Sequence, residues 1–303
     1  MPDAVTRRRF LTLSGAVGAG AVLAACGKST DKNSGATSDT LAEARKRGSI
    51  RIAFINNKPL SYTDDKTGKL TGSGPAVLSA ILAKLGVSNV DPVLVDFDAM
   101  IPGLIANRWD MSAFPFYVTP KRCEQVAFTN PMAQYLEGAL VHTGNPKGIH
   151  SFTDLAKPDV KVAIQTGNAE IDWAKAAGVK ESQIQLFQEE ALAVEAVRQG
   201  RADAYLNGTF ALVQDLKNYG ASGLEIAKPF KGPIVDGKEV IAYGGWALRS
   251  QDTTLRDGFN AELAKMLDSG ELLKLQSPYG YDQDSLPPKD VTAKTLCPNA
   301  SWK

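Results

Sequence analysis

From Ser49 onward, short apolar runs that alternate every second residue give way repeatedly to segments whose apolar residues fall three and four apart. Ile50, Ile52 and Phe54 share one strand face. Pro75 then opens a stretch in which Val77, Leu78, Ile81, Leu82 and Leu85 recur at helical spacing, and Gly86 stops it. A second strand is expected at Val93-Leu94-Val95, a short helix over 100–106 and an extended segment over 111–117. Strand and helix in that order predict an α/β fold with a parallel, doubly wound sheet. A long strand over 135–142 leads into Thr143-Gly144-Asn145-Pro146-Lys147-Gly148, a run of breakers that ends a lobe. The rhythm then restarts, with strands at 160–164, 184–187 and 204–206 and helices at 169–177, 191–199 and 210–219. A last strand over 240–248, interrupted at Gly244-Gly245, precedes a helix with Leu255, Phe259, Leu263, Met266 and Leu267 on one face.

These patterns predict two lobes of one class. Residues 41–142 and 244–303 form lobe 1, residues 143–243 form lobe 2, and two crossings near His142 and Tyr243 join them. About 260 residues are more than one core comfortably serves, which favours the same division. Ligands collect at domain interfaces and at the carboxyl ends of parallel strands, so the cleft between the lobes is the expected site.

The first residues bear on compartment. Thr6-Arg7-Arg8-Arg9-Phe10-Leu11 is a charged start to an apolar, Gly- and Ala-rich stretch that runs to Leu23, an export signal of twin-arginine character. It is shorter than the roughly 20 residues a membrane span needs. Leu23-Ala24-Ala25-Cys26 resembles the lipobox of bacterial lipoproteins, which implies removal of residues 1–25 and lipidation of Cys26. Residues 26–40 are then a polar, flexible tether. An exported chain meets oxidising conditions, so Cys123 and Cys297 are expected to pair, two buried free thiols being the alternative.

Other function classes find little support. Thirty-four basic and 33 acidic residues leave a net charge of +1, which gives no electrostatic case for nucleic acid. There is no nucleophile elbow, no phosphate loop and no cluster with metal spacing, so neither a cofactor nor catalysis is expected. The two histidines, His142 and His150, fall in the crossing strand and in a polar loop, and Glu170 is the one carboxylate expected beside the cleft.

Several short stretches carry a resemblance. They are Val95-Asp96-Phe97-Asp98-Ala99-Met100-Ile101-Pro102-Gly103-Leu104, Val118-Thr119-Pro120-Lys121-Arg122-Cys123, Phe128-Thr129-Asn130-Pro131, Gly200-Arg201-Ala202-Asp203-Ala204-Tyr205 and Val235-Asp236-Gly237-Lys238-Glu239-Val240. Over 41–297 the chain resembles the family 3 solute-binding proteins of ABC importers, and among them the ectoine and hydroxyectoine binders most. The resemblance implies a two-lobed periplasmic-binding-protein type II fold that works as a monomer. It further implies a small zwitterion such as ectoine or hydroxyectoine captured by lobe closure, with a polar amino acid binder as the alternative and a dehydratase-like enzyme on the same fold as a more remote one. Permease and ATPase partners and a lipid anchor on the outer face of the cytoplasmic membrane are implied with it.

The resemblance also assigns site residues. Arg122 takes the ligand carboxylate, for which a guanidinium fork is the matched partner. Phe97 and Tyr117 stand where the ectoine binders place aromatic rings around a cation, whereas Phe114 and Phe116 are expected in the core. Thr166 and Asn168, in the turn Gln165-Thr166-Gly167-Asn168, stand where the family offers backbone N–H and a hydroxyl. The chain departs from the pattern at four positions, the first being Asn168, where a Thr or Ser is more usual. Asn57 replaces an acid and Leu60 an aromatic of the ectoine binders, and Asn207 replaces the acid that grips an α-ammonium. Asn207 implies a ligand without a primary ammonium and suits a delocalised cation, whereas Asn57 and Leu60 remove a charge partner and one wall of the aromatic box and count against ectoine itself.

Overall fold

A helix that the periodicity does not announce opens the described chain: Asp39 caps α1 (Thr40–Arg47) by accepting the N–H of Leu41 and Ala42. The structure is a computed structural model that describes residues 39–235 and 237–302. The export signal, Cys26 and all but the end of the tether lie outside the described residues. No described helix is long and apolar enough to cross a membrane.

Lobe 1 begins with β1 (Ser49–Phe54), α2 (Ser73–Lys84), β2 (Asn89–Leu94), α3 (Met100–Ile105) and β3 (Met111–Ser112). Both β2 and β3 pair with β1 in parallel. The chain then runs through β4 (Phe116–Tyr117), α4 (Pro120–Cys123), β5 (Ala127–Phe128) and β6 (Ala133–Tyr135). Lobe 2 holds β7 (Glu137–His142), β8 (Val162–Gln165), α5 (Glu170–Ala176), β9 (Ile184–Phe187), α6 (Glu190–Arg198), β10 (Ala204–Gly208), α7 (Thr209–Tyr219) and β11 (Leu224–Ile226). Return to lobe 1 is by β12 (Ala242–Gly245) and β13 (Ala247–Leu248), followed by α8 (Thr253–Ser269).

The first sheet has the order β2-β1-β3-β13-β5 and the second β9-β8-β10-β7-β11. In each, parallel strands meet one or more antiparallel partners: β13 on β3 and β5, β7 on β10 and β11. Alternation explains why the second sheet is covered on both faces. Val141, Val162, Ile164 and Leu206 pack against Phe152, Leu155 and Ala174 on one side. Their neighbours Leu140, Ala163 and Tyr205 pack against Val194, Val197 and Leu212 of α6 and α7 on the other. In lobe 1, β1, α2 and α8 bury Ile50, Ile52, Leu78, Ile81, Phe259 and Leu263 in one cluster. Trp246 is fully buried in it, its indole N–H donating to Ala113 O at 3.1 Å and its ring 5.0 Å from Phe259.

The boundary differs from the expected one. The sequence places 137–142 at the end of lobe 1, yet β7 pairs Leu140 with Tyr205 and Val141 with Glu225 inside the second sheet. The first crossing therefore passes at Leu136, where β6 leaves a three-stranded sheet of order β4-β12-β6. Residues 135–142 read as one continuous strand because a change of sheet partner leaves no mark on side-chain pattern. The second crossing enters β12, beside the expected Tyr243.

Cys123 and Cys297 form a disulfide with Cα atoms 5.6 Å apart. It ties the C-terminal segment to α4, and Trp302 adds an indole N–H bond to Cys123 O at 2.7 Å.

Candidate functional site

The walls of the cavity between the lobes come from both. Leu60, Phe97, Phe114, Tyr117, Arg122 and Tyr135 face Gln165, Asn168, Glu170, Glu190, Asn207 and Phe210. The room left between them is about 40 Å³, that of a few waters. Contacts from lobe to lobe hold the cleft shut. Asn57 Nδ2 donates to Glu190 Oε2 at 2.7 Å, Lys121 pairs with Asp172 at 2.8 Å, and Asn218 Nδ2 donates to Lys58 O at 3.2 Å.

Arg122 is placed by a short turn with little freedom. Pro120 presets the first helical position of α4, and the Thr119 hydroxyl accepts the Arg122 N–H at 3.3 Å. The guanidinium then reaches across the cleft, donating from Nη1 to Tyr117 O and from Nη2 to Gly167 O, both at 2.9 Å. The rings of Phe97 and Phe116 lie 5.7 and 5.1 Å from its central carbon. Burial lowers its pKa to about 10, with the charge of Glu170 opposing that shift, so it stays cationic at neutral pH. Both hydrogen-bond partners are carbonyls, and three of its five N–H donors remain for a ligand carboxylate.

Across the cavity stands an acid that the sequence did not single out. Glu190 begins α6, and its two oxygens accept from Asn57 Nδ2 at 2.7 Å and Asn207 Nδ2 at 3.0 Å. Asn207 is oriented in turn by an N–H bond to the Tyr205 hydroxyl at 2.8 Å and by the Gly208 N–H on its Oδ1 at 2.8 Å. Burial pushes the Glu190 carboxyl up to about 7, and the two amides pull it down. The two positions read as missing charges are thus arms that hold a charge delivered from α6. Sequence reasoning passed over Glu190 because Gln188-Glu189-Glu190 looks like the acidic first turn that any helix favours.

A second pair of acids lies beside Arg122. Glu170 opens α5 and lines the cavity, and Glu137 opens β7 directly behind it. Burial raises the Glu170 carboxyl, with Arg122 opposing. It raises Glu137 further still, the charge of Glu170 adding to the effect. Among the described residues no group of three or more His, Cys, Asp or Glu is placed to hold a metal ion.

The structure brings six of the eight expected ligand residues to the cavity: Arg122, Tyr117, Phe97, Leu60, Asn168 and Asn207. Asn57 stands one shell back and acts through Glu190. Thr166 turns away, its N–H and hydroxyl both donating to Phe187 O at 2.8 and 3.3 Å, so it has no donor left for a carboxylate. Of the two phenylalanines expected in the core, Phe116 is buried there, while Phe114 joins Phe97 in the cavity wall with ring centres 5.5 Å apart. Tyr117 stacks on Trp173 at 6.0 Å, and a Cβ at Gly208 would collide with its hydroxyl and push the ring aside. Tyr135, Gln165 and Phe210 complete the lining. Nothing in their local sequence separates them from core or helix residues.

Comparison with known proteins places the chain among relatives of one family and fold. Residues 50–282 match the model of the bacterial extracellular solute-binding proteins, family 3. A "Probable amino-acid ABC transporter periplasmic-binding protein" of Sinorhizobium fredii is 38% identical over 263 residues, 86% of each chain. The crystal structure of EhuB in complex with hydroxyectoine superposes with a TM-score of 0.76 at 30% identity, covering 86% of this chain and 98% of that one. An ancestral amino acid-binding protein, described as a precursor of cyclohexadienyl dehydratase, gives 0.69 at 30% identity, over 80% of this chain and all of that one. With the two-lobed α/β fold and the shared cleft, these matches establish that the chain belongs to the family 3 bacterial extracellular solute-binding proteins.

Proposed function

We propose that the cleft captures a compact zwitterion, its carboxylate on Arg122 and its cation on Glu190, and that the lobes close on it to present it to an ABC permease and ATPase. The observation that carries this reading is the placement of opposite charges on opposite lobes, Arg122 on α4 and Glu190 on α6, both lining one cavity. A ligand shifts an open–closed equilibrium only by preferring the closed state, which requires simultaneous contacts to both lobes.

Glu190 also changes which ligands fit. Uncharged Asn57 and Asn207 disfavour a primary ammonium, whereas a carboxylate held between them accepts an ammonium or an amidinium alike. The ligand is therefore an amino acid or a cyclic amidinium carboxylate such as ectoine or hydroxyectoine, with Phe97 and Tyr117 flanking its charge. The probable amino-acid transport relative and the hydroxyectoine complex are each compatible with one of these classes. Export with acylation at Cys26 completes the proposal and places the receptor on the outer face of the cytoplasmic membrane.

A thermal-shift panel of neutral and basic amino acids, ectoine, hydroxyectoine and glycine betaine tests the reading, with the matching decarboxylated amines as controls. We expect saturable stabilisation by at least one carboxylate-bearing cation and none by its decarboxylated analogue. No response to any member, or equal response to an amine lacking the carboxylate, contradicts it.

A further inference from the structure

The charges that line the cavity do not balance for a ligand with one cation. Among the lining residues Arg122 is the one base, and Glu170 and Glu190 are both acids. The oxygens of Glu190 are engaged by two amides. In contrast, among the described residues Glu170 meets no side-chain donor except the carboxyl of Glu137 behind it, which itself meets the Tyr117 hydroxyl, although the two acids are only 1% and 4% exposed. A buried carboxylate without a donor is costly, and either a proton or a cation relieves it. Without ligand, one proton shared by two adjacent carboxyls serves both. An ammonium or guanidinium delivered into the cavity serves Glu170 better, because it supplies several donors and a charge, and the rings of Tyr117, Tyr135 and Phe210 wall the same space.

We propose that Glu170 is a second cation acceptor and that the ligand is a basic amino acid, its carboxylate on Arg122 and its two cationic nitrogens on Glu190 and Glu170. The proposal rests on the zwitterion reading above and adds the second cation. The ionisable groups that face Glu170 are Glu137 at the start of β7, Arg122 of α4, Tyr117 of β4, Glu190 of α6 and Tyr205 of β10. When the ligand nitrogen arrives, the proton held between Glu137 and Glu170 passes to buffer and no covalent bond of the ligand changes.

Titration calorimetry on the full exported chain tests this, using L-lysine, L-ornithine and L-arginine against L-glutamine and hydroxyectoine. Repeating it at neutral pH in two buffers of different ionisation enthalpy reads the protons released. We expect one basic amino acid to bind at least roughly tenfold tighter than either single-cation ligand, with net proton release. Glu170→Gln should weaken that ligand by roughly 10- to 100-fold and release fewer protons, with circular dichroism and a cooperative ligand-free melt showing the variant to be folded. Tighter binding of glutamine or hydroxyectoine than of every basic amino acid overturns the second acceptor and leaves the zwitterion site standing. So does a Glu170→Gln variant that binds the basic ligand as the parent does. If no carboxylate-bearing cation binds at all, the zwitterion site itself falls.

Discussion

In the proposed site Glu190 receives the ligand's cation, and its titration should be visible in binding. Burial places its carboxyl at about 7, so below that pH it carries a proton that a ligand cation must displace. For a single-cation ligand, which leaves the proton of the Glu137–Glu170 pair in place, affinity should therefore tighten as pH rises from 5.5 to 8, by up to about tenfold per unit below 7, and level off above. Glu190→Gln should flatten that profile and hold the affinity near its low-pH value, as a calorimetric pH series would show. A parent profile already flat across 5.5 to 8 counts against the assignment. The residue scale is also where sequence gave its most uneven return. Arg122, Phe97 and Tyr117 could be read because a turn and a resemblance carried them. Asn57 and Asn207 could be read only as absences, because the acid that joins them lies 133 residues from the first and 17 from the second. A charge supplied from another element leaves no trace in the local pattern.

Among the elements, α4 is the one whose support can be removed cleanly. It is four residues long, and a helix that short is not stable by itself. It is held by the Thr119 cap, by the disulfide to Cys297 and by the Trp302 bond to Cys123 O. Replacing both cysteines with serine should cost about 2 to 5 kcal/mol of stability, measured by denaturant unfolding of the oxidised parent and the variant. Ligand affinity should fall with it, since the same turn aims Arg122. An unchanged unfolding midpoint would show the bridge to be dispensable. Strands and helices of both lobes were legible from periodicity, because each sheet is buried on alternating faces and each long helix packs one stripe. Helix α1 was not, since its polar face dominates and only Thr40, Leu41 and Ala44 are buried. The lobe boundary was misplaced for a different reason: β6 and β7 abut across the single residue Leu136, and only long-range pairing tells them apart.

At the scale of the whole molecule, two lobes of like architecture each bring one sign of charge to a shared cavity. Their closed arrangement is held directly by few polar contacts, of which Lys121 with Asp172 is solvent-exposed and contributes little. In the proposed mode a ligand that satisfies Arg122 and Glu190 together makes closure favourable, and removing either end should uncouple it. Titration calorimetry with whichever carboxylate-bearing cation binds best, on the parent, Arg122→Ala and Glu190→Gln at pH 8, measures this directly. Arg122→Ala should lose about 2 to 5 kcal/mol of binding free energy, and Glu190→Gln about 1.5 to 3 kcal/mol. Binding by both variants with the parent's affinity would contradict a zwitterion held between these two residues.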